Sequence, residues 1–140
     1  MKKLAVLFAL MSISISSFAK INCQNLGITI TNQSGHDCKL RINNRYYGSL
    51  YQGEIPTHIP NGTTTEVFYM KQSGNGVGIQ LDYRCDNKVA IFTSYQDYCY
   101  MSAGSVWGTY YIGNDFSTIS QPQMGSYWSG MPGQISWKIY

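Results

Sequence analysis

Apolar and polar residues alternate with a period of two along much of this chain. The clearest case sets Val77, Ile79, Leu81 and Tyr83 against Gly78, Gln80, Asp82 and Arg84, which predicts a strand with one buried and one wet face. After the turn-forming Pro132-Gly133, Ile135, Trp137 and Ile139 alternate with Ser136, Lys138 and Tyr140 in the same way. Weaker alternation predicts further strands at Gly27 to Thr31, Cys38 to Asn43, Tyr46 to Tyr51, Thr65 to Lys71, Val89 to Thr93, Tyr98 to Ser102 and Ser105 to Ile112. No stretch after residue 19 has helical periodicity.

Turn chemistry separates these segments: Gln33-Ser34-Gly35-His36-Asp37, Pro60-Asn61-Gly62, Ser73-Gly74-Asn75-Gly76 and Asp86-Asn87-Lys88. About nine short strands at such spacing predict an all-β fold, a single antiparallel β-sandwich. The stretch from Gly113 to Gly130 is polar and rich in Ser, Gln and Gly, so it is expected to be one long connection, of the kind that often carries function.

The first nineteen residues do not fit this pattern. Lys2 and Lys3 precede the apolar run Leu4 to Met11, and Ser17-Phe18-Ala19 follows, which is the layout of a cleaved secretory signal peptide. The expected organisation is therefore a signal peptide over residues 1 to 19 and one exported domain over residues 20 to 140, secreted or periplasmic and bacterial in style. A chain of 121 residues suffices for one core. An outer-membrane barrel is not expected, because Tyr140 shares its strand face with Lys138, Ser136 and Gln134 rather than with apolar residues.

Removing the leader also changes the charge. Eight basic side chains then face seven acidic ones, about +1, and Lys39, Arg41, Arg45, Lys71, Arg84 and Lys88 are scattered among acids. That is no phosphate-binding patch, so no nucleic-acid partner is expected. The four cysteines, Cys23, Cys38, Cys85 and Cys99, all follow the leader, and export predicts two disulfides. Four cysteines allow three connectivities; the local pairing, Cys23 with Cys38 and Cys85 with Cys99, is the expected one. No Cys-x-x-Cys is present and both histidines lie apart, so neither a metal site nor a cofactor is expected.

With thiols oxidised, only His36 and His58 could act as general bases near neutral pH. A small secreted ribonuclease-like hydrolase would have to draft them with Glu54, Glu66, Arg41 and Arg45, whose spacing matches no motif. A periplasmic inhibitor or structural protein is a third class. Binding is the expected function, because twelve tyrosines and three tryptophans accompany only 12% charged residues. Two clusters are candidate ligand contacts: Tyr110, Tyr111, Phe116, Tyr127 and Trp128 around the long connection, and Tyr95 with Tyr98. Tyr127 and Trp128 stand between Gly125-Ser126 and Ser129-Gly130, flanks too small and polar to bury a tryptophan, so projection into solvent is expected.

The segments Ile28 to Ser34, Ile55-Pro56, Ile59-Pro60-Asn61-Gly62 before Val67-Phe68, Tyr127-Trp128 and Ile135-Ser136-Trp137-Lys138-Ile139 together resemble aegerolysins and the wider actinoporin-like sandwiches. The resemblance covers most of the exported chain as an order of strands. It implies a β-sandwich that recognises a membrane lipid or a glycan on a target cell surface and assists pore formation, a membrane-active, toxin-like role. Four cysteines, a secretory leader and the lack of acidic bias depart from that pattern.

Overall fold

The apolar half of the predicted alternation is buried in the two best segments, although on the expected wet face of the first Gly78 and Asp82 are buried as well. Val77, Ile79, Leu81 and Tyr83 are inside, as are Ile135, Trp137 and Ile139. The computed structural model describes residues 20–111 and 115–140; the expected signal peptide over residues 1 to 19 lies outside the described residues. Ten strands and, among the described residues, no helix make up the fold: β1 (Asn25–Asn32), β2 (Cys38–Tyr47), β3 (Ser49–Gln52), β4 (His58–Ile59), β5 (Phe68–Lys71), β6 (Val77–Cys85), β7 (Lys88–Gln96), β8 (Val106–Tyr110), β9 (Thr118–Gln123) and β10 (Gly133–Ile139).

They form two five-stranded sheets, β3-β5-β1-β10-β9 and β4-β2-β6-β7-β8. The pairings are antiparallel except one: β1 runs parallel to β10, with Leu26 opposite Gly133 and Asn32 opposite Ile139. Between the sheets Trp137 is the central pillar. Its ring packs on Phe92 at 4.6 Å, its indole N–H donates to Ser94 Oγ at 2.9 Å, and Gly108 lies beneath it, where an added Cβ would come within 2.5 Å of the ring.

Several expectations change. Residues Tyr98 to Ser102 form a loop, not a strand; Met101 has φ of 60°, a left-handed conformation that breaks an extended chain. The predicted strands at 38 to 43 and 46 to 51 become one long β2 and a separate β3, because Gly48 at φ 81° turns the chain between them. The supposed long connection contains β9, an edge strand whose Pro122 needs no ladder donor on its free side.

The local disulfide pairing is also wrong. The bonds are Cys23–Cys99 and Cys38–Cys85. Cys38 stands directly opposite Cys85 in the β2–β6 register, and both side chains point inward. Cys85 and Cys99 lie beyond opposite ends of β7, a strand about 30 Å long, far outside disulfide reach.

Candidate functional site

The sheets place their turns at two ends, and aromatic side chains crowd one of them. At the end where β1, β6, β8 and β10 begin, residues 97–105 and residues 124–132 form two neighbouring loops. The first is held hard. Cys99 is bonded to Cys23, its N–H donates to Gln72 Oε1 at 2.8 Å, its carbonyl accepts from Gln72 Nε2 at 3.1 Å, and the Asp97 N–H donates to the Ser105 carbonyl at 2.9 Å. Gly104 lies against Asp97, where any Cβ would come within 1.9 Å of the carbonyl oxygen.

The second loop is a small hairpin. The Ser126 N–H donates to the Met131 carbonyl at 2.8 Å, and the Gly130 N–H to the Tyr127 carbonyl at 3.3 Å. Those bonds put Trp128 at the tip of the turn, while Gly130 supplies the positive φ of 68° that closes it. Trp128 is 83% exposed, so it projects as its Gly/Ser flanks predicted.

The two loops bring four rings into contact. Tyr98 lies 6.5 Å from Tyr100, Tyr100 is 6.4 Å from Tyr127, and Tyr127 meets Trp128 edge-on at 5.3 Å. Met101, Met124 and Met131, from the same loops, are also exposed. Besides tyrosine hydroxyls, Asp97 is the only ionisable group in either loop. A groove lined by Lys20, Asn22, Cys23, Gln24, Tyr127 and Gly130 runs beside them. This surface offers large apolar contacts with polar tips and no proton-transfer chemistry.

The other predicted contacts lie elsewhere. Tyr110, Tyr111 and Phe116 sit at the opposite end from Tyr127 and Trp128, because β9 carries the chain about 20 Å along the sandwich between them. Phe116 is buried, with the Lys88 ammonium 5.4 Å from its ring, so it is not a surface contact. Tyr95 is separated from Tyr98: it stands on the outer face of the second sheet, stacked at 5.3 Å on Trp107. Trp107 was missed by the sequence reading, as were Tyr46 and Tyr47.

His58 Nε2 lies 3.3 Å from Asp37 Oδ2 at the opposite end, and the Asn61 N–H donates to Asp37 Oδ1 at 2.9 Å. The Asn61 bond, with a smaller part from His58, holds the Asp37 carboxyl below its ordinary value. Glu54 and Glu66 border the groove beside His58, whereas Arg41 is 3.8 Å from the buried Asp82 and takes no part there. His36 makes its contacts through backbone atoms, accepting from Asn32 Nδ2 and Ser34 Oγ.

Comparison with solved structures shows the same fold in two proteins. One is the lipid-binding protein Nakanori, with a TM-score of 0.64 and 12% identity over 82% of this chain and 70% of that one. The other is IP-1A from Alcaligenes faecalis, with a TM-score of 0.57 and 17% identity over 86% of this chain and 92% of that one. No known family's sequence profile matches the chain, and neither does any curated protein.

Proposed function

We propose that this protein is an exported binding protein that seats its aromatic end on the lipid surface of a target membrane. The observation that carries the reading is Trp128, exposed at a turn tip and backed by Tyr127, Tyr100 and Tyr98. Tryptophan and tyrosine favour the membrane–water interface because an apolar ring sits among acyl chains while its polar tip stays wet. Six large exposed side chains on two adjoining loops are costly to leave in water unless a partner covers them. Two disulfides suit an oxidising, non-cytoplasmic setting, and the shared fold with a lipid-binding protein supports the same reading.

The small net charge makes the contact apolar rather than electrostatic. Binding to phosphatidylcholine vesicles should therefore persist when sodium chloride rises well above physiological strength, where exposed charge attraction is screened. Co-sedimentation with such vesicles tests the proposal. Trp128→Ala should lower the bound fraction several-fold, and the emission of the unmodified protein should shift to the blue on binding. No sedimentation, or sedimentation indifferent to Trp128→Ala, would remove the reading.

A further inference from the structure

We infer that the outer face of the β2-β6-β7-β8 sheet is a second, separate binding site, one that takes a neutral oligosaccharide. Register sets the face out in rows. Tyr47 stands opposite Gly78, Gly78 opposite Tyr95, and Tyr95 opposite Trp107; the next row holds Asn44, Gln80, Thr93 and Thr109. The inward positions between them, Ile79, Leu81, Phe92 and Ser94, belong to the core, so these eight residues all face out.

Gly78 makes the first row possible. An added Cβ there would lie 3.0 Å from Tyr47 Cδ2 and 3.3 Å from Tyr95 Cε1, so both tyrosine rings lean over bare backbone. Tyr95 in turn stacks on Trp107 with 17° between their planes. The result is a strip of three rings across four strands, about 14 Å long. Tyr47 and Trp107 are 43% and 39% exposed, so ring surface is open to a ligand.

The second row supplies what rings lack. Gln80 and Asn44 amides and the Thr109 hydroxyl offer both donors and acceptors, Thr93 being buried between them, and Tyr46 Oη donates to Gln80 Oε1, fixing the amide. A hollow lined by Gln80, Ile91, Thr93, Thr109, Tyr110 and Tyr111 opens alongside. Neither row carries a charged side chain.

A pyranose presents C–H bonds on its face and hydroxyls around its edge. Rings beside a row of neutral amides and hydroxyls match that division: the electron-rich ring faces take the C–H side, the polar row takes the hydroxyls. The length suits a short chain of sugars, and the absence of charge disfavours sialylated or sulfated ones.

The test needs no membrane, so its outcome is independent of the vesicle experiment. Saturation-transfer NMR and calorimetry would measure the full exported chain against maltohexaose, cellohexaose, chitohexaose and lacto-N-tetraose. At least one should bind in the range of roughly 0.1–1 mM, and Trp107→Ala should weaken it about tenfold or more. Gln80→Leu, which keeps the rings, should weaken it several-fold and serves as the deciding variant if Trp107→Ala loses its near-ultraviolet circular dichroism. No binding by any of the four at roughly millimolar concentration, or binding unaffected by the folded variants, overturns the proposal. So does a concentration-dependent dimer that Trp107→Ala dissolves, since the face would then be occupied by a second copy.

Discussion

The two ends of the sandwich are built from similar turn residues, yet one satisfies itself and the other does not. At the Cys38–Cys85 end, polar side chains knit the turns together. Asn32 is fully buried, donates to the carbonyls of His36 at 2.7 Å and Ile59 at 2.9 Å, and accepts from Ser34. Gly35 donates to Asn61, and Asn61 to Asp37. At the Cys23–Cys99 end, hydrogen bonds hold only the loop backbones, and the side chains they carry, Tyr98, Tyr100, Met101, Met124, Trp128 and Met131, stay exposed. A rigid backbone presenting exposed rings is what a binding surface needs, because little ordering entropy is then lost on contact.

Breaking each disulfide gives the largest and sharpest test of that division. Replacing both cysteines of either pair by alanine should cost roughly 4 kcal/mol, since each closes a long loop, with sequence separations of 76 and 47 residues. The stability losses should be similar, as read from urea melts. The functional losses should not. Without Cys23–Cys99 the 97–105 loop loses its anchor and vesicle binding should fall among molecules still folded, whereas loss of Cys38–Cys85 should leave it intact.

Asn32→Ala should come next. It removes the buried bond to the Ile59 carbonyl, one of the two bonds to the His36 carbonyl and the bonds to Ser34, so a cost of roughly 2–3 kcal/mol is expected. Vesicle binding measured below the lowered melting temperature should match that of the unmodified protein. A large binding defect would mean that the two ends are coupled.

How much of this could be read from sequence depended on whether a residue's environment was local. The β6 and β10 alternation was legible because each strand has one face on the core. The edge strand β9 was not: in Thr118–Gln123 only Thr118 is buried, so no period survives. The disulfides were misread because the β2–β6 register is set by pairing across 47 residues of chain. At the candidate site, small flanks announced the exposure of Trp128, but the grouping of Tyr110 and Tyr111 with it failed once β9 intervened. Trp107 escaped notice because its inward neighbour is Gly108, a glycine that fits beneath Trp137 and so hides the alternation.

Trp128→Ala reverses the Asn32 outcome. With its side chain almost wholly in solvent, truncation should change stability by less than about 0.5 kcal/mol, read as a nearly unchanged melting temperature. A loss comparable to that of a core residue would show that the ring docks on the fold in solution and would end its part in the comparison.

The smallest effect is expected from Asp37, the exposed member of the knitted end. Its carboxyl is held below the ordinary value of 3.8, chiefly by the Asn61 N–H and less by His58. A depressed folded value means that the unfolded chain binds the proton more readily, so the stabilisation is present above the ordinary carboxylate value and disappears as pH falls through the folded one. Solvent screening keeps it slight. Asp37→Asn should therefore lower the melting temperature by a small margin near neutral pH, and that margin should shrink towards zero as the pH falls through the depressed folded value. Melting curves of the two proteins across that range check the sign. A margin that stays constant with pH would mean that the Asn61 bond acts through its geometry alone, and the polar end would owe its cohesion to neutral groups such as Asn32 and not to any charge.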